Sequence, residues 1–517
     1  MHPVESIILQ AREDFSTLVN AQSKSLDQAT REYAKRYGRE PPPNFEKWFE
    51  LAREHDFVLI DEFDTVMRSL EPFWGVAPSV LQTLITNVLA HFPNELVKCD
   101  IMANMVMTAQ GNNAPWFRDS IARWLPIEWA GILPNMTLAI NTFDEPSVCV
   151  PRDTLDNAML LARSKGHKVQ YALEVTEQNS LRTPRFLNIG KQDAWEAVTL
   201  SCPAHSSARS PICIPSPAEE PLSFIRNLTR SRDICEHCEL QDLEGFFLTP
   251  ETLRLTHSLV PIWSQAKGSS FNDIVYPSPY YQARSGDYIE IEDPEWSSKD
   301  NQLYWVGAAT GGHATESNWK QMQRQRMTLM TQVGSNAQIK LLKKSESGRW
   351  APYTTNMSAV SGLFSTRVVG VSSQCDKAAC EAEKEAFGIG DEEVKDPNSA
   401  AYAHKLVLDL DGNGFSGRFY RLLRSKSMVI KQTAFEEWHD DRLIPWIHYI
   451  PVSSSFEELP ELVRFLATTE TGEVLATRIA QESRDWTAKI LRDVDLQLVW
   501  LRMLLEYGRI YDVNGDR

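Results

Sequence analysis

The chain has 517 residues, 53 Lys+Arg against 69 Asp+Glu, and a formal net charge of −16. With 42% hydrophobic and 24% charged residues it is globular material, not disordered or fibrous, long enough at roughly 100–200 residues per domain for two to four units. The acidic balance argues against a nucleic-acid binder, whose affinity comes from Lys/Arg neutralising phosphates, and no stretch reaches the roughly 18–20 apolar residues of a membrane helix.

In chain order, Met1–Phe15 mixes Glu5, Arg12, Glu13 and Asp14 with Ile7, Ile8 and Leu9, and lacks the basic start and continuous apolar core of a signal peptide. Residues 1–110 read as helices. Ser25 with Gln28 forms a capping-box pattern, and that helix should stop at Gly38 before Pro41–Pro43. Asn44 reads as the cap of a helix carrying Phe45, Trp48, Phe49 and Leu51, and another follows around Ser79–His91. Thr137–Asn141 and Gln170–Glu174 read as strands and begin an alternating α/β pattern. Ser201–Pro221, rich in Pro and Ser, reads as a surface loop; Ser285–Asn301, polar and acidic, reads as a boundary before the strand Leu303–Gly307. Cys375–Ser399, dense in Glu and Asp, reads as a solvated face or loop. From Phe456 the chain is helical again, with Val494, Leu498, Leu501 and Leu505 forming an apolar stripe.

Eight cysteines, with close pairs Cys235/Cys238 and Cys375/Cys380, suit disulfides in an oxidising compartment. The C-x2-C spacing of Cys235 and Cys238 also suits zinc, but no compact ligand quartet accompanies it, so zinc ranks behind disulfides. Sequons at Asn135, Asn227 and Asn356 lean the same way, toward the secretory pathway.

Lys405–Pro451 carries most of the chemistry. Lys405–Leu410 reads as a strand, Gly412, Asn413 and Gly414 break it, Ser416 caps a short helix Gly417–Ser425, and Met428–Gln432 is a second strand. Such a βαβ unit turns backbone N–H groups toward an anion, and Arg418 in the first helical turn adds a phosphate-gripping guanidinium. Rival readings are weaker. Asp409-x-Asp411-x-Asn413-Gly414 starts like a calcium loop, but Tyr420 stands where its bidentate Glu is required. Asp409 and Asp411 mimic the D-x-D of metal-dependent sugar transferases, yet no third ligand is near in sequence. Gly414–Arg418 fails the G-x-S-x-G nucleophile elbow at its last residue. A plain βαβ crossover with a glycine turn fits the same local pattern.

This segment resembles the C-terminal signature of the fungal capsule-associated (CAP-type) glycosyltransferase family, related to Rumi-like protein O-glucosyltransferases and fungal β-1,2-xylosyltransferases. Other pieces match in order: Tyr33–Pro43 with Trp48, Pro72–Gly75, Trp116–Trp124, Asn141–Pro146, Leu303–Gly312, Trp319 with Arg324 and Arg326, and Glu437–Pro451. The resemblance implies an α/β GT-B architecture: an N-terminal helical region (1–110), a Rossmann-like acceptor and base domain (111–295), a Rossmann-like UDP-sugar domain (296–455) and C-terminal helices (456–517) packing back on the body. It implies inverting, metal-independent transfer from a UDP-sugar, xylose ahead of glucose, to a glycan or glycoprotein, with no cofactor and no nucleic acid. Relatives are commonly lumenal, in the Golgi or endoplasmic reticulum, and membrane-anchored, although no anchor is visible here.

By the same resemblance the general base is Asp144, and the donor site falls on Gly412, Gly414, Ser416 and Arg418, with Gly307, Arg324, Arg326 and Glu437 nearby. One carboxylate suffices for inversion if it reaches the acceptor hydroxyl. Trp116, Trp305, Trp438 and Trp446 suit core packing more than ring stacking, and His448 suits the core. The family's W-R-G strand is Trp305-Val306-Gly307 here, and its N-E-x-D-E-P-R is Asn141–Ser147, so a second reading is a weakened member acting as a UDP-sugar-binding or scaffold protein.

Overall fold

The computed structural model describes residues 1–102, 105–110, 115–164, 184–214, 222–284, 288–346, 348–370, 374–390 and 396–512. The expected strand Gln170–Glu174 lies outside them. Two five-stranded sheets organise the body. In the first, β1 (Leu96–Met102) pairs antiparallel with β2 (Met105–Gln110) and β3 (Met136–Asn141). A ribbon of β4 (Phe186–Asn188) and β5 (Arg254–Thr256) stands beside it. Next in the chain, β6 (Ile262–Ser264) and β7 (Ile274–Val275) extend β3 in parallel, giving the order β2-β1-β3-β6-β7.

The second sheet begins with β8 (Asp300–Gly307). The hairpin of β9 (Gln338–Lys344) and β10 (Trp350–Asn356) interrupts it, and β11 (Phe364–Val368), β12 (His404–Leu410), β13 (Met428–Gln432) and β14 (Ile450–Pro451) complete it. It is wholly parallel, in the order β11-β8-β12-β13-β14. Parallel strands covered on both faces read as unbroken apolar runs, and Leu406, Val407, Leu408 and Leu410 are accordingly all buried.

Helices form largely where their local signals stand. Ser25 caps Leu26–Tyr37 by accepting from Gln28 N at 3.3 Å, and Gly38, at φ +67°, ends it in the left-handed conformation glycine adopts freely. Asn44 is different. It precedes Phe45–Glu54 at φ +64° without capping it, and its amide instead donates to Ile132 O at 2.8 Å, a tertiary tie that overrides capping. The helical run ends at His91: residues 96–110 are strands of the first sheet, so the helical extension is shorter than the sequence reading allowed. The acidic segment after Cys375 is a helix at Lys377–Phe387, because Ala379 and Glu383, one turn apart, are buried and Glu383 accepts from Gln325 at 2.8 Å.

The C-terminal helices Leu459–Thr468, Glu470–Ile490 and Asp493–Tyr511 pack back on the body. Leu498, Leu501 and Leu505 are buried; Trp48 Nε1 donates to Leu498 O at 2.9 Å and Tyr33 Oη to Glu506 at 2.9 Å, joining the two ends of the chain. No single helix among the described residues is long and apolar enough to cross a membrane.

The cysteines pair as Cys202–Cys235, Cys213–Cys238 and Cys375–Cys380, while Cys99 and Cys149 are buried thiols. Cys235 and Cys238 are thus not paired with each other; each closes a longer loop. The sequence separations are 33, 25 and 5, and chain-entropy loss grows with loop length, so Cys235→Ser should cost about 3–4 kcal/mol and Cys380→Ser about 2. Thermal melts of the two variants check this; an equal or reversed order would contradict it.

Candidate active site

The strand β3 ends at Asn141, whose side chain builds the next turn: Oδ1 accepts from Phe143 N at 3.0 Å, and Nδ2 donates to Glu145 O at 2.7 Å and Ser264 Oγ at 3.1 Å. Glu145 is buried and accepts from Thr252 N and Oγ1 at 3.0 and 2.9 Å; burial and then the neighbouring Asp144 charge push it up to about 8. Between these two anchors Asp144 is solvent-accessible, yet protein surrounds it closely enough that desolvation raises its carboxyl above the ordinary range.

The turn after β12 packs against this segment. A methyl placed on Gly414 would stand 2.9 Å from the Asp144 carbonyl carbon and collide with its oxygen, so the expected base and the expected diphosphate turn are in direct contact. Asn413 clamps the turn, its Oδ1 accepting from Gly311 N and Gly312 N at 3.2 Å each. Those glycines, at φ +119° and +136°, follow β8 and need that freedom. Gly307 ends β8 where an added methyl would strike the Trp305 indole at 2.8 Å.

Arg418 does not lie in the first helical turn. The helix is shorter, Phe419–Arg424, with Arg418 as its N-cap residue, because Phe415–Gly417 are spent on the turn. Ser416 likewise is no cap: its hydroxyl donates to Asp409, itself paired with buried Lys431 at 2.9 Å. Arg418 Nη1 donates to Val306 O at 2.8 Å and its guanidinium lies 5.8 Å from the Trp305 ring. Its Nε and Nη2 meet no protein acceptor among the described residues. Arg418 borders a cavity of about 160 Å³ walled also by Trp305, Val306, Val369, Asp396 and Arg421. Burial disfavours the guanidinium charge, which an incoming anion would restore.

The remaining expected donor residues are placed differently. Arg324 is under the turn, donating to Asp411 O at 2.8 Å, Ala308 O at 3.1 Å and Thr310 Oγ1 at 2.5 Å, so its hydrogen bonds are spent within the protein. Arg326, two residues on and so on another helix face, ties Leu243 O at 2.8 Å to Ser454 O at 2.7 Å and does not reach the turn. Glu437 is 2% exposed and accepts from Tyr281 Oη at 2.8 Å; burial pushes it up to about 8, which makes it a support for Tyr281.

The aromatics beside the turn were missed in the sequence, apart from Trp116. An added methyl on Gly417 would run into the Tyr280 ring, Tyr281 Oη donates to Ser416 O at 3.2 Å, and Tyr281 stacks on Tyr420 at 3.8 Å. Trp116, 44% exposed, meets Tyr280 edge-on at 6.3 Å, whereas Trp305, Trp438 and Trp446 are buried. A Pro-Ser-Pro-Tyr-Tyr run just beyond a buried strand was the available signal.

The structure thus brings the Asp144 backbone against Gly414 and sets Arg418, four residues on, at the wall of a cavity beside β8. The model of the family described as "Glycosyl transferase family 90" matches residues 249–516, just over half of the chain, and the chain belongs to that family. Among curated proteins it is similar to an O-glucosyltransferase rumi homolog of Aedes aegypti, 32% identical over 118 residues, 22% of this chain and 29% of that one. The O-glucosyltransferase rumi of Drosophila melanogaster is 29% identical over 118 residues and Protein O-glucosyltransferase 1 of Rattus norvegicus 28% over 117, with 22% of this chain matched in each case. The match spans less than a third of these relatives' length.

Proposed function

We propose that the chain is an inverting glycosyltransferase of GT-B type, moving a sugar from a UDP-sugar to a hydroxyl of a glycan or glycoprotein without a metal. The observation that supports this reading is the contact of the Asp144 backbone and Cβ with Gly414, which makes the proposed base and the proposed donor turn neighbours. Asp144 takes the acceptor hydroxyl proton as that oxygen bonds to the anomeric carbon. The bond from that carbon to the diphosphate oxygen breaks on the opposite face, and Arg418 meets the growing charge on UDP. A guanidinium therefore lies beside position 306 although the strand carries Val there.

Metal-free chemistry is supported by the state of the two aspartates a metal would need. Asp409 is committed to Ser416 and Lys431, and Asp411 is buried, accepts from Ala434 N at 2.8 Å and is pushed up to about 7 by burial. Of the donors, glucose stands ahead of xylose, because the similar curated proteins are O-glucosyltransferases by name. Three disulfides and exposed Asn135, Asn227 and Asn356 support a secretory-lumen setting.

A thermal-shift and hydrolysis panel of UDP-glucose, UDP-xylose, UDP-galactose and UDP-glucuronate tests the reading. One donor should stabilise the protein and turn over equally well in EDTA. Loss in EDTA with rescue by manganese would sink the metal-free mechanism. Absence of a shift with all four would favour the scaffold reading, which the loss of Arg at Val306 alone supports.

A further inference from the structure

Two motifs that the transfer site leaves unused, Tyr33–Pro43 and Pro72–Gly75, meet around a cavity of about 350 Å³. Its wall carries Arg36, Arg39, Arg68, Asp64, Glu71 and Trp74. Most of these charges are matched. Arg36 pairs with Glu62 at 3.0 Å and Glu32 at 2.9 Å, Arg68 faces Glu436 at 3.7 Å, and Glu71 receives Arg163 at 2.7 Å.

Arg39 is the exception. Its guanidinium lies 4.0 Å over the Trp74 ring, and its Nε donates to Tyr37 O at 3.3 Å. Nη1 is buried without an acceptor, and no carboxylate pairs with the group among the described residues. Burial pulls this guanidinium below its usual range, and Glu506 and Glu71 offset that only from beyond ion-pair distance, so a ligand carboxylate at the cavity wall would complete its counter-charge. The other polar groups narrow that ligand. Asp64, whose side chain is 46% exposed, accepts from Tyr37 Oη at 2.8 Å through Oδ1 and leaves a second carboxylate oxygen for a hydroxyl. Asp64 and Glu71 on the same wall repel a dianion such as phosphate more than a monoanion.

We infer that this cavity binds a carboxylate-bearing sugar, a uronic acid, with the carboxylate on Arg39 and hydroxyls on Asp64 and Arg68. The choice of a sugar rests on the reading of the chain as a glycosyltransferase; the site itself is apart from the transfer centre. Through Arg68 and Glu436 it borders the residue preceding Glu437, and so lies on the body that carries the cleft.

Binding of sodium D-glucuronate to the full chain tests this without relying on turnover. By calorimetry or ligand-observed magnetic resonance, glucuronate should bind at least ten times more tightly than D-glucose, inorganic phosphate or N-acetyl-glutamyl amide. Arg39→Gln should weaken it at least tenfold and leave the UDP thermal shift unchanged. Should that variant not fold, Asp64→Ala, at an exposed carboxylate, should weaken glucuronate about threefold and leave the glutamyl probe unaffected. No glucuronate binding, equal binding of glucose, tighter binding of phosphate or the glutamyl probe, or undiminished binding in either folded variant would overturn the proposal. A failed donor panel with intact glucuronate binding would instead count against the transfer reading alone.

Discussion

Replacing Asp144 by Asn is expected to lower sugar transfer about 10³-fold while UDP binds within about threefold of the parent affinity. The substitution keeps the shape of the side chain and removes only its capacity to take a proton. The turn should survive, because Asn141 and Glu145 hold it from either side through bonds that do not involve the Asp144 carboxylate. The parent should also show a matching pH dependence. Desolvation raises the Asp144 carboxyl, and only the ionised form is a base, so kcat/KM should fall as pH drops through a midpoint above the ordinary carboxylate value near 4. In Asp144→Asn the residual rate should lose that limb. A variant that turns over normally, or one that loses UDP binding in parallel, would remove Asp144 from the role of base.

The second large effect is expected at a residue with no side chain. Gly414→Ala places a methyl against the backbone of Asp144, where neither partner can rotate away, so the two segments must move apart locally. A displacement of about 1 Å at the reacting groups costs on the order of 10²-fold in rate, and the overpacking about 1–3 kcal/mol of stability. Neighbouring glycines calibrate the result. Gly412→Ala meets the flexible Arg324 guanidinium at 3.3 Å and Thr310 Oγ1 at an ordinary 3.8 Å, and Gly362→Ala meets nothing within 4 Å. Rates and melting temperatures should therefore rank Gly414→Ala well below Gly412→Ala, with Gly362→Ala at parent values. A harmless Gly414→Ala would show that the two sides of the cleft are not in contact in solution.

Much of the expected donor segment was legible because its signals are local. An apolar run, a Gly-Asn-Gly break and a second apolar run give β12, the turn and β13 almost to the residue. The same locality misled elsewhere. Arg324, Arg326 and Glu437 carry the right charges in the right segment, but whether a charged group faces a cleft or is spent on buried carbonyls depends on packing that no spacing records. Asn44 has the residue type of a cap, and a carbonyl from a distant segment claims it. Lys377–Phe387 hid its helical period because its buried positions include a glutamate. The most informative contact, Asp144 on Gly414, joins segments far apart in the chain, and only the resemblance pointed to both.

The anomeric configuration of the product tests the central claim most directly. With the donor that stabilises the protein, an acceptor bearing free hydroxyls and EDTA present, the new glycosidic bond should be read by proton magnetic resonance. A base on the face opposite the departing diphosphate requires one displacement, so an α-linked donor should give a β-linked product. An α-linked product, or none until manganese is added, would contradict the assignment of Asp144 and Arg418 as base and diphosphate partner.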